Sequence, residues 1–234
     1  MPHRCSAAPG SPPTLAGRAC VLLALGLTML AWAGEDMDIA PNSRTVDLVR
    51  QRFGTHAVER VQAWRRLLDR DLFGISEQAK LERVNRFFNR IPSVEDQTNW
   101  GQRDYWATPV ELLASNGGDC EDYALAKYFT LKAAGVPTER LRITYVRAWI
   151  ARDKRVESHM VLAYYPFPDA DPLILDNLDG SIRAAAERTD LTPTMGFNAD
   201  GLWSAKQRGQ HGRLGEASNI EHWNKLLARM RQEQ

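Results

Sequence analysis

The spacing of the apolar residues changes once along this chain, and that change limits what it can fold into. Over residues 46–72, Val49, Phe53, Val58, Val61, Trp64, Leu67 and Leu68 recur at helical spacing, and Gly54 is predicted to split the run into two helices. Ser76 and Glu77 open another predicted helix, with Leu81, Val84, Phe87 and Phe88 on one face and Ile91-Pro92 at its end. Residues 92–108 are polar, carry Trp100, Tyr105 and Trp106, and read as an ordered loop. Thr108-Pro109 before Val110, Leu112 and Leu113 predicts a short helix with proline at its first position. A stronger helix is predicted over residues 120–134, stopped by Gly135 and Pro137. Beyond it, residues 141–150 are rich in Ile, Thr, Tyr, Val and Trp and read as a strand. Residues 151–156 form a charged turn. Further strands are predicted over 158–165, closed by Pro166 and Pro168, and over 173–178, closed by Asp179-Gly180. Residues 220–231 pattern as an amphipathic helix. Helices followed by strands on short connections predict an α+β domain with an antiparallel meander.

The N-terminus has a different character. Residues 1–33 contain Arg4 and Arg18, no acidic residue, and an apolar run that ends in Ala31-Trp32-Ala33. This is the pattern of a cleavable export signal, and the run is short for a membrane span, which needs roughly 20 residues; an uncleaved anchor is the alternative. Cys20 opens the apolar run instead of closing it, so a lipoprotein signal is not read. The expected organisation is a signal peptide at 1–33, a flexible leader at 34–44 and one exported domain at 45–234. The chain has 30 basic and 29 acidic residues and a net charge of +1, which becomes −1 when the two arginines of the signal are removed. That balance argues against nucleic acid or an anionic membrane as partner. No second apolar run is long enough to span a bilayer.

Two of the three cysteines, Cys5 and Cys20, lie in the signal. Cys120 is then the lone thiol of an exported domain and has no partner for an internal disulfide. It sits in Gly117-Gly118-Asp119-Cys120-Glu121-Asp122-Tyr123, at a predicted helix N-terminus. There the helix dipole favours a thiolate, and free backbone N–H groups can stabilise an oxyanion. His159 begins the second predicted strand and Asp176 lies on the third, so neighbouring antiparallel strands can bring the two together on a face that the helix packs against. A thiol, an imidazole and an orienting carboxylate in this order are the parts of a cysteine protease or acyltransferase. Trp100, Trp106 and Tyr123 read as core aromatics, and His56, His211 and His222 have no supporting context.

Three carboxylates, Asp119, Glu121 and Asp122, flank the thiol, and negative charge there opposes thiolate formation. Two readings stay open on the residues alone. Acids at a helix N-terminus stabilise the helix, by about 0.3–1 kcal/mol each, with Asp119 as N-cap. Alternatively a cation neutralises them, and oxygen ligands favour Ca²⁺ or Mg²⁺ over zinc.

The Gly-Gly-Asp-Cys-Glu-Asp-Tyr-Ala motif, continuing through Ala126-Lys127-Tyr128, resembles that of the bacterial transglutaminase-like cysteine proteinases of the LapG type. So do Tyr105-Trp106-Ala107-Thr108-Pro109-Val110-Glu111, Ser158-His159-Met160-Val161 and the Leu-Ile-Leu-Asp-Asn-Leu segment holding Asp176-Asn177. The resemblance spans roughly residues 45–230. It implies a papain-like, transglutaminase-type core with Cys120 as nucleophile, His159 as general base and acid, and Asp176 as orienting carboxylate. It further implies a calcium-dependent periplasmic endopeptidase, with calcium at Asp119, Glu121 and Asp122. Such enzymes cut a large surface adhesin near its N-terminus, commonly at a di-alanine site, which disperses biofilm, and an inner-membrane receptor for cyclic di-GMP sequesters them. The competing expectations are acyl transfer or cell-wall peptide hydrolysis by the same triad, and a non-catalytic periplasmic binding module.

Overall fold

The computed structural model of the chain describes residues 39–204 and 212–234. The predicted signal, the leader as far as residue 38, and His211 lie outside them. Helices α1 (Ser43–Phe53) and α2 (Thr55–Arg66) are divided at Gly54, whose φ of +82° is a conformation that side chains resist. Helix α3 (Glu77–Phe88) starts where Ser76 accepts a hydrogen bond from the Ala79 N–H at 3.3 Å. Its Leu81, Val84 and Phe88 are buried. The polar stretch after it is not all loop, because a single turn, α4 (Asp96–Asn99), forms within it. Helix α5 (Pro109–Ser115) carries proline at its first position and a reciprocal Thr108–Glu111 capping box. Helix α6 (Cys120–Ala133) ends before Gly135 at φ +81°. It buries every residue from Asp122 to Leu131, which makes it the central helix of the molecule, not an amphipathic surface one.

The strands form one antiparallel sheet of seven, ordered β4-β3-β2-β1-β5-β6-β7. Strands β1 (Leu141–Ile150) and β2 (Arg155–Tyr164) form a hairpin whose turn is tighter than predicted. The chain reverses at Lys154, at φ +50°, so β2 begins at Arg155 and not at Ser158. Strand β3 (Leu173–Leu175) is shorter than expected and stops one residue before Asp176. Strand β4 (Arg183–Ala184) continues this edge, while β5 (Leu191–Asn198), β6 (Gly201–Ser204) and β7 (Arg213–Gly215) extend the other. The pairing of β5 with β1 makes β1 a central strand, with a register shift between Tyr145 and Val146 that accommodates Pro193 and Thr194.

One sheet face receives α6, with Ile143, Met160, Leu162, Leu175 and Phe197 in the same buried core as Tyr123, Leu125 and Leu131. Trp64 of α2 is fully buried and donates its indole N–H to Thr130 at 2.9 Å. Helix α7 (Glu221–Gln232) folds back over α6 and β5, and its Trp223 stacks on Phe129 with ring centroids 5.4 Å apart. A smaller cluster of Val146, Val161, Ala163 and Ile174 packs apart from this core. No helix among the described residues is long and apolar enough to cross a membrane.

Candidate active site

The glycine pair before Cys120 is required by packing, since neither glycine has a positive φ. A Cβ on Gly118 would lie 2.5 Å from Leu112 Cδ1 and 2.6 Å from Asp122 Oδ2, and one on Gly117 would lie 2.8 Å from Val94 Cγ2. Bare backbone here lets the Gly118 carbonyl accept from the Val94 N–H at 2.9 Å. Asp119 follows as an extended N-cap and Cys120 is the first helical residue of α6. The first i→i−4 bond of the helix is that of Tyr123 N–H to the Asp119 carbonyl, 3.3 Å. The thiol therefore sits at the end of a helix where the leading N–H groups have no intrahelical acceptor.

His159 and Asp176 are brought together directly. The β1–β2 register sets His159 opposite Val146, β3 pairs with β2, and the imidazole Nε2 lies 2.8 Å from Asp176 Oδ1 with both side chains buried. Burial alone would raise the Asp176 carboxyl. The His159 hydrogen bond and charge, the Leu178 N–H at 3.0 Å and the Arg188 guanidinium instead hold it at about 2. An ionised Asp176 accepts a hydrogen bond from Nε2–H, which leaves Nδ1 as the basic nitrogen of the ring. The thiol meets β2 one residue along, at the Met160 backbone N–H. Its own hydrogen points at Glu121 Oε2, 3.1 Å away. Burial first, then the Glu121 carboxylate, push the thiol well above its ordinary range.

Arg188 is a site residue that the sequence did not reveal. Its Nη2 donates to Asp176 Oδ2 at 2.8 Å, while its Nε and Nη2 grip Asp190 at 2.9 and 2.8 Å. It lies in the turn before β5, 12 residues from Asp176, in a segment with no motif to mark it. Asn89, at the end of α3, donates to the Asp176 carbonyl at 2.7 Å, so the aspartate is fixed through its backbone as well. Replacing Arg188 by leucine leaves two carboxylates, one fully buried, without their shared cation. Loss of a buried ion-pair partner of this kind costs about 3–5 kcal/mol. Arg188→Leu is expected to lower the melting temperature by several degrees, and an unchanged melting curve would contradict that structural role. Lys127, two turns along α6 from the thiol, is likewise fully buried; burial lowers its pKa to about 7 against the opposing pull of Asp176.

The acidic residues beside the thiol do not act alone. Asp96 of α4, which the sequence left in a loop, closes on them. Asp96, Asp119 and Asp122 form one group with carboxylate oxygens within 4.8 Å of one another, and Asp96, Asp104 and Glu121 form a second. Asp122 receives the N–H groups of Ala107 at 2.7 Å and Asp119 at 3.3 Å, and Asp96 Oδ2 that of Tyr105 at 2.5 Å. Asp96 Oδ1 and Asp119 Oδ1 are buried without a hydrogen-bond donor among the described residues. Burial, then neighbouring carboxylates, raise Asp119 and Asp122 far above the usual range, and burial outweighs the Tyr105 N–H to raise Asp96 to about 6. Unsatisfied buried oxygens among mutually repelling carboxylates fit a hard, oxygen-preferring cation. All three predicted ligands, Asp119, Glu121 and Asp122, lie in this cluster, with Asp96 and Asp104 added to them.

Trp106 and Tyr123 are core aromatics as expected, 4 % and 2 % exposed, and the Tyr123 hydroxyl donates to the Ile91 carbonyl at 2.6 Å. His222 has more context than its sequence gave: it lies 3.6 Å from Asp104 and packs on Trp106.

Known proteins resemble this chain in sequence and fold. Residues 69–192 match the family model of the bacterial transglutaminase-like cysteine proteinases. Among solved structures, Legionella pneumophila LapG is 40 % identical, with a TM-score of 0.67, over 80 % of this chain and 96 % of that one. The calcium-bound form of the same protein is 41 % identical over 79 % and 97 % of the two chains, with a TM-score of 0.67. Its EGTA-treated form is 40 % identical over 80 % and 96 %, with a TM-score of 0.69. No curated protein sequence matches. With a family model over more than half its length and a solved relative at this identity, the chain belongs to the bacterial transglutaminase-like cysteine proteinases.

Proposed function

We propose that the chain is a calcium-dependent periplasmic cysteine endopeptidase that cuts a large surface adhesin near its N-terminus, at a di-alanine site, and so releases the adhesin and disperses biofilm. An inner-membrane receptor for cyclic di-GMP sequesters it when that messenger is abundant. The observation that carries the reading is the buried His159–Asp176 pair, 2.8 Å apart, beside a thiol at a helix N-terminus. The adhesin, the receptor and the compartment are carried over from what the resemblance to the LapG-type proteinases implies.

In the proposed mechanism His159 Nδ1 accepts the Cys120 proton while Asp176 stabilises the imidazolium through Nε2–H. The thiolate attacks the scissile carbonyl carbon, and the carbonyl electrons move to an oxyanion held by backbone N–H groups at the start of α6. Collapse breaks the C–N bond, the imidazolium protonates the departing amine, and a thioester remains. Water, deprotonated by His159, then releases the acid and restores the thiol. Asp96, Asp119, Glu121 and Asp122 would hold calcium, with Asp104 adjacent; bound there, the ion would offset the negative charge around the thiol. That LapG has a calcium-bound form supports calcium as the ion.

The test is incubation of the purified chain and calcium with an adhesin N-terminal fragment, with and without an added amine. One cut between the paired alanines, with a free carboxylate on the product, is the expected result. An intact fragment in the presence of folded enzyme would overturn the reading, and amine incorporated into the product would move it to acyl transfer.

A further inference from the structure

We infer that the cavity lined by β1, β2, β5 and β6 is a binding site for a carboxylate with a small apolar body, separate from the thiol and its acidic cluster. The cavity has a volume of about 190 Å³, and Val146, Ile174 and Leu191 are among its apolar lining residues. Three N–H donors of its lining are buried without an acceptor among the described residues: Arg142 Nε, Arg188 Nη1 and Trp203 Nε1. Arg188 and Trp203 are themselves 2 % and 3 % exposed, so solvent does not satisfy them. A buried donor left unpaired is destabilising, and three around one void are better explained by an absent acceptor than by chance.

The charge points the same way. Arg188 is neutralised by Asp176 and Asp190, but Arg142 has no carboxylate partner among the described residues. Its guanidinium lies over the Tyr165 and Trp203 rings, 5.0 and 4.4 Å from their centroids, and hydrogen-bonds the Tyr165 side chain. Asp171, the acidic residue of the lining, is exposed and accepts the Ala186 N–H at 3.1 Å. An uncompensated cation lying over aromatic rings, with two further N–H groups in the same lining and aliphatic walls, fits an anionic oxygen pair on an apolar stem. A short branched acid or the C-terminal carboxylate of a peptide ending in leucine would supply it. The site goes beyond the proposed proteolysis and is read by binding alone, so either can fail without the other. Because Arg188 lines this cavity and grips Asp176 with Nη2, an occupant would touch the residue that positions the catalytic carboxylate.

The test titrates the full chain with 4-methylpentanoate and, separately, its neutral amide, following indole and guanidinium N–H signals by nuclear magnetic resonance. The acid is expected to saturate and to shift the Trp203 indole signal, with at least tenfold tighter binding than the amide. Arg142→Met is expected to weaken it at least tenfold. A tripeptide ending in leucine, as free acid and as amide, distinguishes a chain terminus from a free acid as the source. Equal binding of acid and amide, or no binding of either to the wild-type chain, overturns the inference even if the Arg142 variant does not fold. Undiminished binding by a folded Arg142→Met protein also overturns it.

Discussion

Cys120→Ala is expected to lose at least about 10⁴-fold in cleavage rate, about 5 kcal/mol of transition-state stabilisation, while folding normally. The side chain is only partly buried against the core, and its polar contacts are the thiol bond to Glu121 and the Met160 backbone N–H. Truncation therefore removes the nucleophile and little packing. The expected change in melting temperature is within about 2 °C, since a partly exposed truncation of this kind stays near 0.5 kcal/mol. His159→Gln should lose activity on a similar scale but behave differently in the melt. It leaves Asp176 buried against Arg188 with one hydrogen-bond partner altered, and so couples activity to stability in a way the cysteine variant does not. A Cys120→Ala protein that still cuts the adhesin fragment would remove the nucleophile from the mechanism. Loss of activity accompanied by a large fall in melting temperature would reduce the result to a folding defect.

The parts of the fold legible in the sequence are those whose cause is local. Ser76, the Thr108-Pro109-Val110-Glu111 cap, Gly54 and Gly135 each act within a few residues, and the helices begin and end where these residues require. Strand β5 was not legible because Pro193 and Thr194 interrupt its pattern. It forms because β1 offers a free edge and the irregularity after Tyr145 absorbs the proline. Strands β4 and β7, of two and three residues, are too short for any period to register. The end of β3 was overestimated because Asp176-Asn177-Leu178 continues the alternation, whereas Asp176 turns its carboxylate back to the Leu178 N–H and leaves the ladder.

The site divides the same way. Cys120 and its acidic neighbours are contiguous, and His159 and Asp176 sit in apolar strand contexts that mark them as inward-facing polar residues. Asp96 and Arg188 come to the site through tertiary structure, from a single-turn helix and a turn before a strand. Nothing in their own neighbourhoods distinguishes them from surface charges. What exposes them is burial: a carboxylate 2 % accessible with an unsatisfied oxygen, and a guanidinium equally buried between two aspartates.

Chelation is expected to bring cleavage below detection, with calcium restoring it, and to lower the melting temperature. The chain holds five carboxylates about one place, at Asp96, Asp104, Asp119, Glu121 and Asp122, and three of them are substantially buried. Calcium at about 100 times its dissociation constant adds about 2.7 kcal/mol to folding, or about 5–10 °C in a domain of this size. The pH dependence gives the sign. Burial holds the Asp96 carboxyl at about 6 against an ordinary 3.8, so in chelator the folded state keeps a proton that the unfolded chain has released. Such a group favours folding fully below the unfolded value and loses that contribution as pH rises through about 6. Stability in chelator should therefore fall from about pH 4 through 6 and, because Asp119 and Asp122 are raised further still, go on falling above it; the increment from added calcium should grow over the same range, because the ion binds the ionised form. Asp119→Ala combined with Glu121→Ala should abolish the calcium increment and raise the melting temperature in chelator, by removing repulsion that nothing then offsets. Full activity in excess chelator, or a calcium-dependent melt unchanged in that double variant, would place the ion elsewhere and leave the acidic cluster as helix capping alone.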